Sequence, residues 1–216
     1  MHPVLRLYED TLGDGVAAGL PPLPRMIFVA HGAIETGDQK LEDNMAVAGE
    51  DAVALKAGTA GATLWRFELA AGGAATGALA APGAVSREKL SASLETLPKG
   101  RLLLRGDSVA FPPGGCAYLH RHQGPGIRCL IEGGVRIDTR GHSHSYGPGG
   151  AWYETGPDGV FAQAAERPTR FVRVMILPAS YVGKSSVEYL NEEDKAKPKS
   201  QQYKIYADIP LTLAGT

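Results

Sequence analysis

One pattern in this chain occurs twice, and it limits the fold more than any other feature. Arg25-Met26-Ile27-Phe28-Val29-Ala30-His31-Gly32-Ala33-Ile34-Glu35-Thr36-Gly37 is an apolar strand-like run, a glycine turn and an alternating strand, and the same succession returns over Gly126 to Asp138. Aligning Gly32 with Gly133 sets the two copies 101 residues apart. A second pair follows: Ala60 to Leu69 and Pro168 to Leu177 are each a strand carrying a threonine and an arginine among apolar residues. A repeat of this length is domain duplication, not a solenoid. The 28 glycines and 15 prolines agree, because they break the chain into short strands joined by turns.

The repeat divides the chain into an N-terminal unit over 1–70, a linker over 71–100, a second unit over 101–180 and an arm over 181–216. The linker opens on the small, flexible run Ala71 to Gly83, and the leucines at 90, 94 and 97 then have the spacing of one short amphipathic helix within Ser86 to Leu97. The arm is polar, with one acidic helical turn near Glu192, and ends in the alternating run Tyr203 to Ile209. Such a strand needs a sheet edge, of its own subunit or of a neighbour's. Closed dimers are the commonest oligomers, so a homodimer is expected.

Composition excludes several classes. The chain is 44% hydrophobic and 21% charged, enough to bury a core, and its net charge of −1 gives no argument for nucleic acid or an anionic membrane. No apolar run reaches the roughly 18 residues of a membrane span. The N-terminus lacks the basic-then-apolar order of a secretory signal. Cys116 and Cys129 give no disulfide framework and read as reduced buried thiols, so a cytoplasmic protein is expected. Nucleophile-elbow, phosphate-loop, CxxC and dinucleotide signatures are all absent.

The chemistry concentrates between Pro112 and Gly126. Cys116 to His122 reads as a strand, whose period of two puts His120 and His122 on one face. That is how a sheet offers two neutral imidazoles to one metal ion. Tyr118 shares the face by the same period, either to hydrogen-bond a substrate or to fill the interior. Glu154, two residues after Trp152, has two readings. It ligates the metal or acts as acid/base on a substrate, with its pKa raised by apolar surroundings; or it is a rim carboxylate paired with Arg128 or Arg173. A second His-x-His, His142 and His144, falls in a Gly- and Ser-rich turn and reads as exposed; His31 reads as a structural turn residue.

These residues resemble the first motif of the cupins: a glycine, a His-x-His, a glutamate three or four residues on, and a later glycine. Gly114 or Gly115, His120, His122 and Gly133 match, while the glutamate's place falls on Gly126 or Ile127. Pro157-Asp158-Gly159 is similar to the Pro-x-Gly of the second motif, whose leading glycine, histidine and asparagine places hold Ala151, Ala162 and Glu166. The resemblance implies an all-β, double-stranded β-helix (jelly-roll) barrel, here two fused cupin units, with a pocket at the barrel mouth. It also implies a divalent metal (Fe, Mn, Zn, Ni or Cu), of whose four usual ligands two remain. Two functions stay open. One is a metal-dependent enzyme of dioxygenase, isomerase or lyase type acting on a small molecule, with His120 and His122 on the metal and Glu154 or water completing the shell. The other is a non-catalytic cupin without metal, a small-ligand-binding or structural, oligomer-forming protein. The retained His-x-His favours the first and the missing ligands the second.

Overall fold

A computed structural model describes residues 2–70 and 77–211. The chain divides into two units, with the boundary between Glu95 and Thr96. In the first, β1 (Val4–Leu12), β2 (Ala17–Leu20), β3 (Arg25–Thr36), β4 (Gln39–Glu42), β5 (Ala46–Gly49), β6 (Val53–Ala70) and β7 (Ala84–Ser93) form one antiparallel sheet. Its order is β4-β3-β6-β1-β7, with β2 also on β6 and β5 also on β3. The long strands β3 and β6 supply much of the core through Ile27, Val29, Ile34, Leu55 and Leu64.

The second unit contains β8 (Leu102–Phe111), β9 (Cys116–His122), β10 (Gly126–Glu132), β11 (Val135–Thr139), β12 (His142–Tyr146), β13 (Ala151–Glu154), β14 (Val160–Ala164), β15 (Thr169–Pro178), β16 (Val187–Tyr189), the helical turn α1 (Glu192–Ala196) and β17 (Gln202–Leu211). Two five-stranded sheets, β13-β10-β15-β8-β17 and β12-β11-β14-β9-β16, make a β-sandwich. Val109, Phe111, Leu130 and Phe171 of one sheet meet Ala117, Val135, Ile137, Val160 and Ala162 of the other. Alternate residues of facing sheets thus build one apolar layer.

The pairings recur between the units. β3 pairs with β4, β5 and β6, as the β10–β11 segment pairs with β12, β13, β14 and β15. Gly32 and Gly133 stand at the matching bends with φ of 85° and 84°. A Cβ at Gly32 would lie 2.3 Å from the Gly61 carbonyl oxygen, and one at Gly133 would lie 2.3 Å from Thr169 Oγ1. Only glycine meets both the positive φ and the close approach.

Three local expectations change. Residues 71–76 of the linker lie outside the described residues, and the helix expected over Ser86 to Leu97 is instead the strand β7. It pairs along all of β1, sets Leu90 against Leu7, and its Ser86 hydroxyl donates to Asp10. Completing a sheet edge outweighs a weak leucine periodicity. The arm is not an appendage: β16 pairs with β9 and β17 with β8, so the final strand finds its edge within its own unit. His142 and His144 lie on β12 rather than in a turn, yet are exposed as expected; His31, on β3, is exposed too. Among the described residues no helix is long and apolar enough to cross a membrane.

Candidate functional site

The site is set by an irregularity in β9. Ala117 faces Ala162, so a regular ladder would put Leu119 opposite Val160; His120 stands there instead. One extra residue at Tyr118–Leu119 makes a β-bulge, which shifts the alternation by one. Ala117, His120 and His122 consequently line one cavity. Tyr118 does not share the His120 face, contrary to the period-two expectation. It lies under the ammonium groups of Lys197 and Lys199, 4.8 and 5.4 Å from its ring centroid.

The two histidines meet edge to face, with Nε2 atoms 3.2 Å apart. Each Nδ1 has its own partner: the Tyr118 carbonyl at 2.7 Å for His120 and the Ser186 hydroxyl at 3.3 Å for His122. A carbonyl only accepts, so His120 carries its proton on Nδ1 and turns a bare Nε2 lone pair to His122. Both rings are buried, and desolvation holds both pKa values below 6.5; nearby Arg173 and Arg128 push the same way. The pair is neutral at physiological pH.

Glu154 is buried rather than on a rim. Its Oε1 accepts the indole N–H of Trp152 at 2.8 Å, and Oε2 lies 2.8 Å from Arg128 Nη2 and 3.4 Å from His122 Nε2. The Arg128 contact is an ion pair without hydrogen-bond alignment: both Arg128 Nη2 and Glu154 Oε2 are buried atoms with no hydrogen-bond partner. Burial lowers the Arg128 guanidinium to about 10, so it stays charged at neutral pH. Beside it, Arg173 is held by Asp107 through contacts of 2.6 and 3.0 Å. Thus two buried cations stand against two buried carboxylates around a neutral histidine pair.

The enclosed space is about 20 Å³, enough for one water-sized body. Ala117 and Ala162 leave room there, while Val187 of β16 and Tyr203 of β17 contribute to the wall. Ser186, just before β16, is buried.

Solved structures share this architecture. A mutant oxalate decarboxylase of Bacillus subtilis superposes with a TM-score of 0.62 over 89% of this chain and 73% of its own, at 13% identity. A salicylate 1,2-dioxygenase from Pseudaminobacter salicylatoxidans gives 0.55 over 95% and 75%, at 12% identity. A cupin 2 conserved barrel domain protein from Leptotrichia buccalis covers 81% and 84% at 9% identity, with a TM-score of 0.49. The fold is that of the cupins. No protein-family model matches the chain, and no curated protein matches it.

The cupin motif places can now be located. Ala162, in the second motif's histidine place, lines the same cavity from β14, the strand next to β9, where it pairs with Ala117. Gly126, in the glutamate's place, sits against β15, where a Cβ would come within 2.3 Å of the Val174 carbonyl oxygen. Ile127, the alternative place, is buried but does not line the cavity. Among the described residues no three His, Cys, Asp or Glu side chains form a ready-made metal cage. Two pairwise approaches converge on His122 Nε2 instead, one from His120 and one from Glu154, whose carboxylate is held by Arg128. The donor chemistry nevertheless fits a metal. Two metal–nitrogen bonds of about 2.1 Å meeting near the tetrahedral angle span about 3.4 Å, close to the observed histidine separation.

Sequence reasoning missed Asp107 and Ser186 and took Arg128 and Arg173 only as partners for Glu154. A signal was present for the arginines. Each interrupts a run of apolar residues, Ile127-Arg128-Cys129-Leu130 and Val172-Arg173-Val174, and a charge in a buried strand requires a counter-charge. Ser186 carried none, since a serine in a polar arm is unremarkable.

Proposed function

We propose that the second unit is a divalent-metal site of a small-molecule cupin enzyme, with His120, His122 and Glu154 as its protein ligands. One observation carries this reading: two neutral imidazoles, their Nδ1 atoms occupied, direct their Nε2 atoms at each other across 3.2 Å beside a carboxylate oxygen with no hydrogen bond. Two histidines and one carboxylate leaving open positions form a donor set that suits redox and Lewis-acid metals alike. A metal bound there would supply Lewis acidity toward an oxygen of the bound molecule. Around it, Tyr118 acts only through its backbone carbonyl, which fixes the His120 ring. Arg128 neutralises Glu154, which would be the carboxylate ligand of such a metal, and Asp107 holds Arg173 in place. Open space for one water-sized body does not admit an organic substrate, so a substrate displaces Tyr203 or Val187 on binding. The reaction class in this reading is dioxygenase, isomerase or lyase chemistry on a small molecule; a dioxygenase and a decarboxylase stand among the solved neighbours. Both units are read as cupin units, a reading supported by their shared pairings, and the protein as a homodimer.

The test is elemental analysis and zinc titration of the purified protein. The double replacement His120→Ala with His122→Ala is expected to abolish stoichiometric metal, while His142→Ala with His144→Ala leaves it intact. A second reading, a metal-free, non-catalytic cupin that binds a small ligand or serves as a structural oligomer, has its own support in the Arg128–Glu154 ion pair and the Ala162 and Gly126 replacements. Absence of metal from the wild type, with no zinc uptake at millimolar concentration, overturns the metal reading in its favour.

A further inference from the structure

The two imidazoles do not have equivalent partners. The Tyr118 carbonyl fixes one tautomer of His120, but Ser186 Oγ can either donate to His122 Nδ1 or accept from it. The hydroxyl also has another direction to point, toward Met175 Sδ at 3.8 Å. Two arrangements are therefore open to the pair, and they differ in whether the Nε2 atoms are bonded to each other. In the first, Ser186 donates to His122 Nδ1, and His122 carries its proton on Nε2 and donates it to the bare Nε2 of His120. In the second, His122 carries its proton on Nδ1 and donates to Ser186, whose hydroxyl turns to Met175. Both Nε2 lone pairs are then free and face the same point.

Without a cation the second arrangement sets two lone pairs against each other at 3.2 Å in a desolvated space, so the first is the metal-free state. With a cation between the Nε2 atoms only the second is possible. We infer that Ser186 is a positioning residue that switches the tautomer of His122, closing the histidine pair on itself when empty and opening it to a divalent metal. The change moves one proton from Nε2 to Nδ1 of the same ring by way of water. The imidazole stays neutral in both states and no net proton leaves the pair. Protonation of either ring, which desolvation opposes, is not needed.

The inference rests on the metal reading of His120 and His122, and its test separates the two. Nitrogen-15 NMR of the histidine rings in the full-length, metal-free protein reads each tautomer directly. His122 is expected with its proton on Nε2, His120 with its proton on Nδ1, and saturating Zn²⁺ is expected to move the His122 proton to Nδ1. Ser186→Ala should leave the metal-free tautomer in place, since the Nε2–H···Nε2 bond to His120 still sustains it. It should take away the acceptor of the open tautomer's Nδ1–H and so weaken zinc binding by about 10- to 100-fold, the usual effect of losing a partner that orients a metal-bound histidine. Ser186→Thr, which keeps the hydroxyl, should restore the affinity. A His122 proton on Nδ1 in the metal-free wild type overturns the switch, as does zinc affinity in Ser186→Ala within twofold of wild type. Failure of zinc to bind the wild type, with the metal-free tautomers as described, overturns the metal reading and leaves Ser186 assigned to the closed pair.

Discussion

Each unit buries arginines and carboxylates among its apolar residues, but the two sets are completed differently. In the first unit Asp10, Arg66, Glu68 and Arg25 form an alternating chain, joined at 2.6, 2.7 and 3.0 Å. The remaining guanidinium N–H groups reach the carbonyls of Gly77, Asp51 and Pro21, and Arg66 lies 4.3 Å over the Tyr8 ring. No side-chain nitrogen or oxygen of these four is left as a buried atom without a partner. In the second unit Arg173 occupies the place of Arg66, since Arg66 faces Ile27 across β3–β6 as Arg173 faces Arg128 across β10–β15. There the set is left open: two unaligned polar atoms, a histidine pair and a small cavity. A charged interior is therefore not itself a sign of chemistry in this fold. The sign is polar capacity that the protein does not use up.

The comparison is easiest to break in the first unit. Removing one partner of a buried, hydrogen-bonded ion pair typically costs about 3–5 kcal/mol. Arg66→Ala strands Asp10 and Glu68 together and should cost that much in urea unfolding, with no recovery on adding zinc. Recovery would mean that this unit, too, holds a cation.

Arg128→Met should also destabilise, because it leaves Glu154 buried without its cation. Here zinc is expected to restore stability, since a cation takes the place of the guanidinium. A ligand at a hundredfold excess over its Kd contributes about 2.7 kcal/mol. Thermal unfolding with and without Zn²⁺ checks this, and equal transitions would put the second unit in the same class as the first.

Acid should distinguish the units as well. His120 and His122 have pKa values depressed below 6.5, so the unfolded chain binds more protons than the folded one once the pH falls below that value. Their contribution is complete above 6.5 and is lost as the pH falls toward the folded values, by up to about 1.4 kcal/mol per pH unit for each ring. Metal-free protein should lose stability between pH 6.5 and 5, and His120→Ala with His122→Ala should flatten that slope. A slope unchanged in the double variant would show that other groups set it. The smallest effect belongs to His142→Ala with His144→Ala: both side chains are exposed, and stability should stay within about 0.5 kcal/mol.

Much of the fold was legible because burial and turns leave local marks. Gly32 and Gly133 announced matching bends, and central strands such as β10 and β15 read as nearly continuous apolar runs. The His120/His122 pairing was legible from a period of two, but Tyr118 was misplaced by the same rule, because a bulge is settled by the partner strand and not by β9 alone. β7 was hidden for a related reason: its leucines have helical spacing, and only the open edge of β1 makes it a strand. The role of Glu154 depended on contacts with Arg128 and Trp152, and proximity of that kind has no local signature beyond an arginine in an apolar run.

The pairing of β17 with β8 also bears on the order in which the molecule is made. β8 is the first strand of the second unit and β17 its last, with Gln202 set against Ala110. Ser186 and the wall residues Val187 and Tyr203 all come more than sixty positions after His120. On a ribosome, the first unit has every strand it needs once Ser93 has emerged. The second must wait for nearly the whole of residues 96–211 before its outer strand can dock, and closing so long a loop is slow. A nascent chain with its histidines already synthesised would still lack the groups that shield and orient them, so the proposed site takes its described geometry only after the C-terminal strands are in place.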